Sequence, residues 1–234
     1  MPDNLWRVRL DDGGTGWWKR AVTPRWRLIF AVHRRSRAQR EHTALALLRA
    51  RDLPAPEPVA WRERRRGPFL LESVLVTRET PDLVRFDHFL RDERSAALRT
   101  AALQAAGELA ARIHARGIAH FRLLPKNVHV ERARPERAWI LDAPYACAWR
   151  DSVPRRVRVF DLCSLAGPAS GLGTIESETL IEAYERSSGT VTERRRLVRA
   201  RPFAMKIRRI VYYLTAVWTR HRPERFVQSA AASR

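Results

Sequence analysis

Leu5 to Leu10 alternates apolar and basic residues, Asp11 to Gly14 reads as a turn, and Gly16 to Val22 resumes a β-like run. A period of two on both sides of a glycine-bearing turn predicts a β-hairpin with Lys19 on its second strand. Trp26 to Val32 is a third candidate strand. From Ser36 to Ala50 the period becomes helical: Ala44, Leu45, Leu47 and Leu48 form the stripe to be buried, and Arg37, Arg40 and Arg49 fall outside it. Glu41 lies early in this helix. The prolines at 54, 56 and 58 stop it, since proline has no amide hydrogen to continue the ladder. Pro68 to Thr77, containing FLLESVLVT, predicts two short strands or one bent one.

From Pro81 the pattern turns helical. Leu98, Ala102, Ala105, Leu109 and Ile113 lie at steps of three and four, a stripe that ends at Gly117. A histidine, a polar loop ending in Asn127, a short β-like run to Val130, a polar turn from Arg134 to Arg137 and a buried strand from Ala138 to Asp142 follow. Arg158 to Leu165 and Thr179 to Arg186 predict two helices, with a Gly/Ser-rich loop from Gly167 to Gly173 between them. Met205 to Thr219 predicts a helix with Ile207, Ile210, Val211, Leu214 and Val217 on one face, and the last residues a frayed tail. The expected organisation is a β-rich lobe with one helix over 1–78, a helical lobe over 79–222 that carries the stretch 117–142, and a tail over 223–234. No internal repeat is present.

An apolar fraction of 45% beside 30% charged residues fits a folded soluble domain rather than a disordered chain. The formal charge of +20 rests on 45 basic residues, only three of them lysines: Lys19, Lys126 and Lys206. A basic balance of this size favours a polyanionic partner, whether nucleic acid, an anionic membrane face or a phosphorylated glycolipid. The eight tryptophans are scattered and no nucleic-acid motif is present, which argues against nucleic acid. Cys147 and Cys163 have no metal-ligand spacing and cannot build a disulfide framework, so a reducing cytoplasmic compartment is expected. No apolar core of signal-peptide length opens the chain. The run from Ile210 to Trp218 is broken by Thr215 and falls short of the ~20 residues that span a bilayer, so no transmembrane segment is expected. Lys206, Arg208, Arg209 and Arg220 would let the last helix either lie on an anionic membrane at the inner face of the cell or pack on the core with its basic side in water. A monomer is expected.

The phrases WWKRAV, QREHTALALLRARDLPAPEPVAW, SVLVTRE, ARIHARGIAHFRLLPKNVHV, WILDAPYA and RVFDLCSLAG, in this order, resemble the lipopolysaccharide kinase family, the small kinase-fold enzymes that phosphorylate Kdo or heptose. The resemblance spans roughly residues 5 to 190 and implies an α+β, bilobal protein-kinase-like fold with a small β-rich N-lobe and a helical C-lobe. It also implies the cofactors ATP and Mg²⁺. Lys19 matches the strand lysine that holds the α and β phosphates, and Glu41 the helix carboxylate that positions it. Asn127 and Asp142 match the two metal ligands, hard oxygen donors of the kind Mg²⁺ prefers. His120 matches the loop histidine that packs and orients the loop, and Asp161 the aspartate that supports the loop by hydrogen bonds; both imply structural roles.

Two departures bear on activity. Where the family carries the aspartate that accepts the substrate proton, this chain has Arg122. A guanidinium cannot act as a base at neutral pH, and it is expected to pair with Asp142 or a phosphate. General-base contributions are typically ~10²–10⁴-fold, so turnover is expected to be strongly impaired. Only 18 residues precede Lys19, enough for one strand and the DDGG turn, so either the start is truncated or one wall of the nucleotide site is missing. Two readings result: a kinase of weakened activity on a glycolipid, and a pseudokinase that binds a partner without chemistry.

Overall fold

The structure, a computed structural model, describes residues 4–24, 35–80, 82–149, 152–168 and 170–191. The strand expected at Trp26–Val32 and the helix and tail expected from Met205 onward lie outside these residues. The described chain divides into two compact units, one ending at Thr80 and one beginning at Asp82.

The first unit is an antiparallel sheet of four strands, β1 (Leu5–Arg9), β2 (Thr15–Val22), β3 (Pro58–Arg66) and β4 (Phe69–Arg78), in the order β1-β2-β4-β3. The hairpin predicted from the alternation is present. Leu10 N–H donates to Gly14 O at 2.8 Å, and Gly13 N–H donates to Leu10 O at 3.0 Å. Gly13 takes φ +80°, a left-handed conformation open to glycine at no cost. Helix α1 (Arg37–Ala50) packs on one face of the sheet, its start capped by Ser36 Oγ, which accepts from Gln39 N–H at 3.0 Å. Leu45 and Leu48 are wholly buried and Leu75 of β4 is 1% exposed. Each such side chain contributes about 1.5–3 kcal/mol by leaving water.

One feature of this sheet differs from expectation. Phe69–Arg78 is a single strand, one of the two forms expected, whereas β3, with the sequence PVAWRERRR, was not anticipated. Its alternating signal is absent because it is an edge strand with mostly exposed side chains, held by the backbone of β4. Arginines on an edge strand also discourage pairing with another chain.

The second unit contains β5 (Leu83–Arg85), α2 (Phe86–Asp92), α3 (Ala96–Ala115), β6 (Ile118–Ala119), β7 (Val128–Glu131), β8 (Arg134–Ile140), β9 (Cys147–Ala148), α4 (Arg155–Ala166) and α5 (Thr174–Ser188). Strands β5, β7 and β8 form one small sheet and β6 with β9 another. The apolar stripe of α3 is buried at Ala102, Ala105, Leu109 and Ile113. Leu98, expected with them, stays 42% exposed, because it is the neighbouring Arg99 that meets α5, through Glu176. At Gly107 a Cβ would stand 2.3 Å from Leu180 O, so only glycine lets α3 and α5 approach this closely. Strand β8 begins at Arg134, where a polar turn was expected, and ends two residues short of Asp142. The turn is shorter than its composition suggests because Arg134 pairs directly with Glu131, ion pair and ladder together.

Candidate active site

In the first unit, Lys19 lies on the face of β2 that α1 covers. Its Nζ donates to Glu41 Oε1 at 2.9 Å. Glu41 is 3% exposed, and its second oxygen faces Arg37 Nε at 3.8 Å. A buried carboxylate must be compensated by charge and hydrogen bonds, and here a strand ammonium supplies both. The Lys19 side chain keeps 32% of its surface in solvent, and its ammonium has two further donors.

In the second unit the loop after α3 is built around His120. Gly117, at φ +69°, ends α3, and the two-residue ladder of β6 with β9 carries the chain to His120. His120 is wholly buried, and its N–H donates to Asp161 Oδ2 at 2.7 Å. Its Nδ1 accepts the Arg122 N–H at 3.3 Å. Burial pushes the imidazole below its ordinary range, against the pull of the Asp161 and Asp142 charges, so the ring is neutral.

Phe121 follows at φ +58°, an unusual conformation for a bulky residue. Its ring is held by Trp149 and Phe160, centroids at 5.8 and 6.4 Å, within a core cluster that includes Val153 and Val157. That packing turns the chain so that Arg122 and Asn127 meet. Asn127 Nδ2 donates to Arg122 O at 2.8 Å, which leaves the amide oxygen to face elsewhere. The register of β7 on β8 pairs Val128 with Ile140, and Leu141 N–H donates to Asn127 O at 3.1 Å. Asn127 and Asp142 therefore stand at adjacent ends of one two-stranded ladder.

The Arg122 guanidinium lies over the Tyr145 ring, with Cζ 5.7 Å from its centroid. This cation–π contact is worth about 0.5–1 kcal/mol at a partly exposed site. Arg122 Nε is buried without a hydrogen-bond partner among the described residues.

Asp161, wholly buried on α4, joins this loop to two residues that the sequence reading did not single out. His114 Nε2 lies 3.4 Å from Asp161 Oδ2, and His114 Nδ1 lies 3.0 Å from Tyr184 Oη, the two rings edge to face. A histidine next to Ile113 on the buried side of the helix end was the available signal, since a buried imidazole needs polar partners.

The donor set suits a magnesium–nucleotide. Among the described residues no three His, Cys, Asp or Glu side chains gather. A metal here would be held by the Asn127 amide oxygen and the Asp142 carboxylate, the remaining positions being left to phosphate and water. This is the kind of coordination Mg²⁺ accepts, and the bond to Arg122 O fixes the Asn127 amide through its nitrogen.

A sheet with a helix-borne carboxylate on a strand lysine, and a helical unit whose loop sets an asparagine beside an aspartate, define a kinase-like protein. The model of the lipopolysaccharide kinase (Kdo/WaaP) family matches residues 17–184. The chain belongs to that family, a family of kinases, for which ATP and a metal are the general requirement. Among solved structures it is similar to "WaaP in complex with acyl carrier protein", at 21% identity over 98% of this chain and 86% of that one, with a TM-score of 0.55. At that identity the likeness concerns the fold. No curated protein matches. No helix among the described residues is long and apolar enough to cross a membrane.

Proposed function

We propose that the protein transfers the γ-phosphoryl group of ATP to a sugar hydroxyl of a lipopolysaccharide core or related glycolipid, at a rate limited by the missing base. Lys19, positioned by Glu41, holds the nucleotide phosphates, and Asn127 and Asp142 hold Mg²⁺. Bound Mg²⁺ supplies neutralisation of the charge on the β and γ phosphates. Asp161 and His120 keep the loop in shape. The observation that carries this reading is the adjacency of Asn127 and Asp142, with the amide anchored on Arg122 O. The protein acts as a monomer at the cytoplasmic face of a membrane that carries its anionic acceptor.

Arg122 supports a second reading. It presents a permanent cation where a proton acceptor is required, and its side chain is engaged with Tyr145. On this reading the fold binds nucleotide or glycolipid without turnover. Phosphotransfer from Mg-ATP to a core-sugar acceptor, measured for the wild type and for Arg122→Asp, separates the two. Slow wild-type turnover raised by ~10²-fold or more in the variant supports the kinase. Activity gained only in the variant supports the pseudokinase. No activity in either, with no nucleotide binding, rejects the site.

A further inference from the structure

The face of the four-stranded sheet opposite α1 is not finished like an ordinary solvent face. Antiparallel sheets with one face in water alternate apolar-in and polar-out. Here β1 and β2 place Trp6 directly opposite Trp18, 43% and 38% exposed. The same row continues through Val76 of β4 to the exposed Ala60 of β3. The next row pairs Arg20 with Val74 and Val74 with Arg62, and the row after it runs from Val22, 56% exposed, through Glu72 to Arg64.

The rows from Trp6 to Arg64 are basic. Arg78, farther along this face of β4, is paired with Asp12 and Glu57. The one acid among the described residues of those rows, Glu72, is shared by two guanidinia: Arg20 Nε donates at 2.7 Å and Arg64 Nη2 at 2.9 Å. Those bonds hold the Glu72 carboxyl below its usual range, so it stays ionised and the group of three carries one net positive charge. Arg62 adds a second on the same face. This surface sets an apolar aromatic row beside a basic row. It has the two components of interfacial lipid binding: indole rings that settle at the headgroup level, and arginines that take phosphate oxygens.

We propose that this face of the sheet docks the protein on an anionic phospholipid surface, with Trp6 and Trp18 entering the headgroup region and Arg20, Arg62 and Arg64 meeting lipid phosphates. The overall charge of +20 complements such a surface and gains no attraction from a neutral one. This deepens the preceding reading by naming the surface that meets the membrane, and depends on it only for the presence of that membrane.

The test is co-sedimentation of the full-length protein with vesicles of phosphatidylcholine alone and of phosphatidylcholine with phosphatidylglycerol. Binding to the anionic vesicles is expected, with a loss of about tenfold in Trp6→Ala/Trp18→Ala and about fivefold or more in Arg62→Glu. Ile175→Ser, which removes a side chain 79% exposed in the other unit, should bind as the wild type does. Circular dichroism and Mg-ATP calorimetry on each variant report the fold and the nucleotide site separately. Equal binding to both vesicle types, unchanged affinity in the tryptophan variant, or no wild-type binding overturns the docking face while leaving the kinase reading to its own assay. A wild-type dimer that Trp6→Ala/Trp18→Ala dissolves also overturns it, in favour of a contact between copies.

Discussion

The Asp161 carboxylate accepts the backbone N–H of His120 at 2.7 Å across 41 residues of sequence, with both residues fully buried. One acid on α4 therefore holds the start of the loop, and through His114 it is tied to Tyr184 on α5. The residues with chemical potential, Arg122, Asn127 and Asp142, are arranged downstream of that attachment.

Replacing this acid should loosen the loop before it unfolds the chain. Asp161→Asn is expected to cost about 2–3 kcal/mol, since a charge-assisted bond to a buried N–H is weakened and one amide hydrogen is forced on a site built for acceptors. Tyr184→Phe removes one neutral bond and should cost about 1 kcal/mol. Urea denaturation of the full-length protein gives both values, and equal midpoints for the two variants would refute the central place of Asp161.

The Lys19–Glu41 pair should be asymmetric. Lys19→Met removes the 2.9 Å ammonium contact from a carboxylate that is 3% exposed and is expected to cost about 2 kcal/mol. Glu41→Gln keeps shape and a hydrogen-bond acceptor and should cost about 1 kcal/mol, leaving Lys19 in partial contact with water. In a double-mutant cycle, Lys19→Met with Glu41→Leu should cost less than the sum of the single changes, because no buried charge is orphaned.

Asp142→Asn should abolish Mg-nucleotide binding in calorimetry while leaving the thermal transition within a few degrees of the wild type. On the proposed reading the carboxylate contributes charge to a metal, and the ladder between β7 and β8 is untouched by the change. Unchanged Mg-ATP affinity would remove Asp142 from the site.

The pH dependence follows from His120. Its imidazole is held below its ordinary value by burial, so below about pH 6.5 the unfolded chain takes up a proton that the folded chain refuses. Stability present above that pH is lost as pH falls toward the depressed folded value, at up to about 1.4 kcal/mol per pH unit. His42, half-buried on α1 and shifted down by the same cause, adds to this loss. His120→Gln should flatten the acid limb of midpoint against pH, and an unchanged slope would show that His120 does not set it.

Much of the fold was legible where a side-chain period reports burial. The hairpin, α1, α3, α4 and α5 each have one covered face, and their stripes announce it. Strand β3 was not legible, because an edge strand needs only a neighbour's backbone and RERRR carries no burial pattern. The length of β8 escaped for a related reason: Arg134 sits in a ladder by virtue of Glu131, not of its own propensity. In the candidate site, Lys19, Glu41, Asn127 and Asp142 were implied by the resemblance of their phrases to the lipopolysaccharide kinase family. Phe121, His114, Tyr184 and Tyr145 carried no comparable signal, since each acts through a partner far along the chain.

The sequence by itself determined the class of protein, through phrases that resemble one family, and the placing of the hairpin and the main helices, because helical or strand period is a local property. Only the tertiary structure decided that Arg122 rests on Tyr145, that Phe121 turns the loop in a left-handed conformation, and that Asp161 joins α3, α4 and α5 beneath it. Those outcomes depend on which buried surfaces meet, and packing between distant segments is not written in any one of them.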